Sequence, residues 1–170
     1  MIKPYNRLFL IGPMGAGKTT IGRQLARKLN YQFVDSDKEL ETRAGVDIAT
    51  IFEFEGEEGF RKREQHLINE LSQHSETVLA TGGGAILKPN NRKVLRSRGL
   101  VIYLSVSIEH QLERTGRDNK RPLLQTDDPR KTLETLQTIR APLYEELADL
   151  TISTDQGNSR SILNQIIKQL

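Results

Sequence analysis

The 170-residue sequence contains no cysteine, which excludes disulfides and thiolate metal sites and suits a reducing compartment. No apolar stretch approaches the roughly 18–20 residues of a membrane span. Met1-Ile2-Lys3-Pro4-Tyr5-Asn6 runs directly into an apolar segment, without the pattern of a signal peptide. These absences lead us to expect a cytoplasmic protein with no membrane association. Aromatic residues make up only 5%, and neither a run of like charges nor basic-aromatic interleaving occurs. Nucleic acid is therefore not expected as a partner. The net charge of +3, with a pI near 9.2, is better explained by small anionic substrates. His66, His74 and His110 lack metal-ligand spacing and read as surface helix positions with no assigned role. The length suits one domain over residues 1–170, and a monomer is expected.

What is present is more specific. Gly12-Pro13-Met14-Gly15-Ala16-Gly17-Lys18-Thr19 fits the phosphate-cradling pattern G-x-x-x-x-G-K-[ST] in full. Its surroundings are also right: Leu8-Phe9-Leu10-Ile11 precedes it as an apolar run, and Ile21, Leu25, Ala26 and Leu29 follow at helical spacing. Glycines let successive backbone N–H groups turn inward around a phosphate. Lys18 can reach the β- and γ-phosphates, and the Thr19 hydroxyl can join the coordination of Mg²⁺. The helix dipole adds to the attraction. The motif points to a nucleoside triphosphate.

Strand and helix patterns alternate along the chain. Strands are expected at 7–12, 32–35, 77–81, 100–104 and 150–153. Helices are expected at 18–29, 37–44, about 47–54, 58–73, 91–98, 107–116, 130–147 and 159–169. Near-continuous apolar runs at Thr77–Thr81 and Leu100–Leu104 suit parallel strands covered on both faces. The expected fold is α/β, a three-layer, doubly wound, parallel five-stranded sheet with right-handed crossovers. Ligands then bind beyond the carboxyl ends of the strands. The long irregular stretch at about 117–128 carries Arg117, Lys120 and Arg121 and ends in a cap, Asp127-Asp128-Pro129. A basic loop of this length is suited to act as a mobile lid over phosphates.

Candidate chemistry lies after the strands, as that rule demands. Asp35 and Asp37, two apart at a strand end, would point to the same side of an extended chain. Asp35 would help hold Mg²⁺ through water near Thr19. Asp37 would accept a hydrogen bond from a substrate hydroxyl, or would merely cap the helix beginning at Lys38. Gly82-Gly83-Gly84 costs backbone entropy, which close approach of N–H groups to a ligand would justify better than a plain turn. Arg61 could form an ordinary helical pair with Glu57. Pro142 is expected to kink or break the helix, and so could aim Arg140 into a cleft.

Taken together, these residues resemble the shikimate kinase family. The resemblance runs through 12–22, Asp35-Ser36-Asp37, Ile51 to Arg61, Ala80 to Ala85, Arg121-Pro122-Leu123-Leu124 and Arg140-Ala141-Pro142-Leu143-Tyr144. It implies transfer of the γ-phosphoryl group of ATP to the 3-hydroxyl of shikimate, a step of aromatic amino acid biosynthesis. The matching residues are implied to divide the work. Gly15, Ala16, Gly17, Lys18, Thr19 and Thr20 would hold ATP, with Mg²⁺ at Thr19. Asp37, Arg61, Gly83 and Arg140 would bind shikimate, with Gly82 and Gly84 flanking. Arg121 in the lid, Arg114 and Gln156 would contact the nucleotide. Lys18, Asp37 and Arg121 would serve the transfer, and a helical segment at about 37–61 would carry the shikimate side.

Two other readings stay open. One is another small-molecule kinase on the same fold, gluconate-type or acting on nucleoside monophosphates. The other is a non-kinase nucleotide switch, against which Asn119-Lys120-Arg121 lacks the Asp of a guanine-specificity motif.

Overall fold

The apolar run before the phosphate loop forms the central strand of a parallel sheet. We describe residues 5–116 and 126–170 from a computed structural model of the chain. Strands β1 (Arg7–Ile11), β2 (Gln32–Asp35), β3 (Thr77–Ala80), β4 (Leu100–Ser105) and β5 (Leu150–Ser153) lie in the order β2-β3-β1-β4-β5. All four pairings are parallel, with Phe9 opposite Leu79 on one side and Val101 on the other. The chain fills one side of β1 and then crosses to the other, so a switch point opens at its carboxyl end.

Helices α1 (Lys18–Leu29), α2 (Ser36–Ala44), α3 (Ile48–Leu71), α4 (Pro89–Arg98), α5 (Ile108–Thr115), α6 (Pro129–Leu147) and α7 (Ser159–Gln169) connect and cover the strands. The two-residue period of β1 divides the core. Leu8 and Leu10 face Leu25 of α1 and Ile162 and Ile166 of α7, whereas Phe9 and Ile11 face Ile68 of α3, Leu95 of α4 and Tyr144 of α6. Each such fully buried side chain contributes about 1.5–3 kcal/mol. The result is the expected three layers. Among the described residues no helix is long and apolar enough to cross a membrane.

The two helices expected at about 47–54 and 58–73 meet at a kink within α3, where Gly56 takes φ 71° and ψ 177°. Two details depart from expectation. A 3-10 turn, Ala85–Leu87, follows the triple glycine. Pro142 does not break α6, which runs on to Leu147. Residue 142 lies on the exposed face, where water can take over the carbonyl that its missing N–H leaves unpaired. The buried stripe Leu133, Arg140, Tyr144 and Leu147 holds the helix to the sheet. Burial on this stripe turns Arg140 inward.

Candidate active site

The phosphate loop follows β1 and leads straight into α1. Gly12, Gly15 and Gly17 take φ of 146°, 79° and 90°, values open to glycine at little cost. A Cβ at Gly12 would also run into the Leu104 carbonyl of β4. Lys18 folds back over the loop and donates from Nζ to the carbonyls of Gly12 (2.6 Å) and Pro13 (2.9 Å). Ala16 lies buried beneath the loop, and Thr20 is exposed in the first turn of α1.

Asp35 ends β2 and serves two partners. Its Oδ1 accepts from the backbone N–H groups of Asp37 (3.0 Å) and Lys38 (3.2 Å), capping α2, while Oδ2 accepts from the Thr19 hydroxyl at 2.8 Å. The same-side geometry expected for Asp35 and Asp37 is therefore wrong, because the helix already starts at Ser36. Asp35 turns to the phosphate loop and Asp37 to the triple glycine. Asp37 is not the cap.

Gly82, Gly83 and Gly84 each leave room for a different side chain. A Cβ on Gly82 would lie 2.6 Å from Asp37 Oδ1 and 3.0 Å from Glu64 Oε2. One on Gly83 would lie 3.4 Å from Arg140 Nη1 and 3.7 Å from both the Gly12 carbonyl oxygen and the Met14 nitrogen. On Gly84 it would lie 2.8 Å from Arg61 Cζ. The glycines thus gather Asp37, Glu64, Arg140 and Arg61 around one backbone segment, which itself touches the phosphate loop.

Arg61 is buried rather than part of a charged surface face. Its contact with exposed Glu57 is long, 3.4 Å, whereas Nη1 donates to Glu64 Oε1 at 2.8 Å, with the Glu64 side chain only 1% exposed. Burial pushes the Glu64 carboxyl above its ordinary range, against the opposing pull of Arg61 and then of Arg140. Arg140 is 5% exposed. Four residues on in α6, the Tyr144 hydroxyl donates to the Gly83 carbonyl, and its ring stacks on Tyr103 with centroids 5.0 Å apart. Burial raises the Tyr144 phenol well above its usual value.

The phosphate loop is also framed by α5. Arg114 donates to the Gly15 carbonyl (2.9 Å), the Thr154 hydroxyl (3.2 Å) and the Thr154 carbonyl (2.8 Å). Exposed Gln156 stands two residues beyond Thr154. Arg121, with Arg117, Lys120 and most of the expected lid, lies outside the described residues. His110, read as a plain surface position, instead makes a 2.8 Å contact from Nδ1 to Asp155 Oδ1.

Sequence reasoning missed Glu64, Tyr144 and Gln111, which donates from Nε2 to the Met14 carbonyl at 2.9 Å. Helical spacing held a signal for each: Glu64 is three beyond Arg61, Tyr144 four beyond Arg140, and Gln111 three before Arg114. The assembled site can hold an anion in amide donors and a lysine at one end. At the other it can grip a carboxylate in paired guanidinium forks, with Asp37 between to receive hydroxyl protons.

Comparison with known proteins agrees with this geometry. A family model described as shikimate kinase matches residues 14–170. A shikimate kinase of Actinobacillus pleuropneumoniae serotype 5b is 58% identical over 161 residues, covering 95% of this chain and 93% of that protein. One from Vibrio cholerae serotype O1 (strain ATCC 39541) is 56% identical over 163 residues, covering 96% and 94%. Among solved structures, a shikimate kinase from Acinetobacter baumannii in complex with shikimate superimposes with a TM-score of 0.95 at 50% identity, covering 98% of this chain and 93% of that one. One from Aquifex aeolicus gives 0.83 at 33% identity, covering 95% and 94%. By fold, site and likeness over nearly its whole length, this chain belongs to the shikimate kinase family.

Proposed function

We propose that the chain transfers the γ-phosphoryl group of ATP to the 3-hydroxyl of shikimate, giving shikimate 3-phosphate and ADP. One observation carries this reading. Asp37, Arg61 and Arg140 converge on Gly82–Gly84, and that segment abuts the phosphate loop at Gly12 and Met14. An acid held there by Arg61 and Arg140 places its ring hydroxyls between Asp37 and the nucleotide.

The work then divides as follows. Backbone N–H groups within Gly15 to Thr20, that of Ala16 apart, and the α1 dipole hold the phosphates, and Lys18 releases its loop carbonyls to bind them. Arg61 and Arg140 clamp the carboxylate in bidentate fashion, and the Gly83 N–H meets a substrate oxygen. Asp37 orients the 3-hydroxyl and receives its hydrogen bond. Lys18 and Arg121 stabilise charge on the phosphoryl group in flight, and Arg114 and Gln156 border the nucleotide. Positioning and electrostatics dominate such transfers, so no nucleophilic side chain is needed.

The oxygen pair of Thr19 and Asp35, 2.8 Å apart, fits Mg²⁺, a hard cation that retains waters and shares phosphate oxygens. Thr19 would ligate it and Asp35 would hold it through water. The ion would neutralise phosphate charge. No cluster of three or more acidic, histidine or cysteine ligands exists among the described residues, in keeping with an ion held mainly by its nucleotide.

The test is a coupled ADP-release assay with shikimate, gluconate and AMP offered separately. ADP release above background with shikimate alone supports the reading. Preference for gluconate or AMP would replace it.

A further inference from the structure

Gly15 gives the phosphate loop its reach and also a weakness. With φ at 79° and no Cβ, the Met14–Gly15 peptide can rotate at little steric cost. A rotated peptide would present the Met14 carbonyl where phosphate oxygens should lie and take the Gly15 N–H away. Something outside the loop must hold that peptide.

Gln111 is placed to do so. Its side chain is 2% exposed, and its Nε2 donates to the Met14 carbonyl at 2.9 Å. The loop tip lies directly on its helix: a Cβ on Gly15 would be 3.5 Å from Gln111 Cα and 3.1 Å from Thr115 Cγ2. In a trans peptide the carbonyl and the following N–H point in opposite directions, and no described peptide is cis. Holding the Met14 carbonyl against α5 therefore turns the Gly15 N–H away from α5, into the concavity of the loop. The next N–H, that of Ala16, is already spent on the Pro13 carbonyl at 3.2 Å. Lys18 fastens the Gly12 and Pro13 carbonyls only until phosphate claims it. Arg114 holds the Gly15 carbonyl from an exposed position. Gln111 is the buried, uncharged fastening.

We infer that Gln111 is a positioning residue for phosphoryl transfer, fixing the Met14–Gly15 peptide so that the Gly15 N–H is preset for the nucleotide phosphates. The inference rests on the phosphate loop holding ATP as proposed above. It assigns Gln111 no contact with shikimate.

The test pairs Gln111→Met, which keeps volume but cannot donate, with Gln111→Glu, which presents acceptors to an acceptor. Both are expected to lower kcat/KM for ATP about tenfold and weaken ADP binding similarly, while KM for shikimate stays within about twofold. Loss of fold alone would move both substrates together. A folded variant with ATP kinetics within twofold of the parent overturns the inference. The unaltered protein supplies a second arm that needs no variant. In ¹⁵N-glycine-labelled protein, adding ADP and Mg²⁺ should shift the Gly15 amide strongly, and an unmoved Gly15 amide overturns the inference too. A parent that fails to turn over shikimate would instead count against the proposed function, and the Gly15 amide would still report on the loop.

Discussion

Arg61 donates to Glu64 at 2.8 Å, one helical turn away, and both side chains are buried. A buried guanidinium stays in place because its counter-charge is buried with it. Glu64→Ala should therefore cost about 3–5 kcal/mol of stability, the range for breaking one side of a buried pair. It should also raise KM for shikimate, since Arg61 loses its anchor. Glu64→Gln keeps an acceptor and should do less of both. Denaturant unfolding and steady-state kinetics check this, and an unchanged KM in a folded Glu64→Ala would detach Glu64 from the clamp.

Gly84 approaches the Arg61 guanidinium so closely that a Cβ would sit 2.8 Å from Cζ. That guanidinium is buried and bonded to Glu64, so giving way to a Cβ would disturb the bond. Gly84→Ala should displace it and cut shikimate binding at least tenfold, about 1.4 kcal/mol or more. ADP binding, at the other end of the site, should stay within twofold. Calorimetry with each ligand separates the two, and equal losses would point to a general collapse of the segment.

Lys18 and Asp37 should fail differently. Lys18→Ala should abolish detectable turnover while the thermal melt stays near that of the parent, because the Lys18 ammonium is half-buried and donates to the Gly12 and Pro13 carbonyls of its own loop, not to the core. Asp37→Asn should retain ADP binding and lose turnover with shikimate by a factor on the order of 10²–10⁴, the usual contribution of a positioned base. Unaltered turnover in Asp37→Asn would leave Asp37 with no part in the transfer.

Asp155 joins the Gln156 loop to α5 through His110 at 2.8 Å and the Ser107 N–H at 2.8 Å. Burial raises its pKa, but the Ser107 and His110 contacts outweigh this and leave it below its ordinary 3.8. A depressed carboxyl stabilises the fold above that ordinary value and loses the contribution as pH falls through the lowered one. An NMR titration of Asp155 should give a midpoint below 3.8, moving upward in His110→Ala. A midpoint above 3.8 in the parent would contradict the contact.

The sheet and the phosphate loop were legible because both depend on local pattern. Alternating apolar runs place the strands, and a glycine-lysine spacing needs nothing distant. The two-helix reading of 47–73 also caught the break that Gly56 makes within α3. What sequence could not decide was which face of a helix meets the core. Arg61 has carboxylates at both i−4 and i+3, and only the folded distances and burial show that Glu64 rather than Glu57 is its main partner. Pro142 misled for the same reason, since a proline on an exposed face removes one solvated hydrogen bond and spares the buried stripe.

In the proposed reaction one cleft grips an acid at the Arg61–Arg140 end while its hydroxyl faces the phosphate loop. A crystal structure with ADP and shikimate bound is the decisive measurement. Both guanidinium groups should lie within hydrogen-bonding distance of the shikimate carboxylate, with the 3-hydroxyl beside Asp37 on the side of the nucleotide. A bound acid whose carboxylate lies away from both arginines would contradict it.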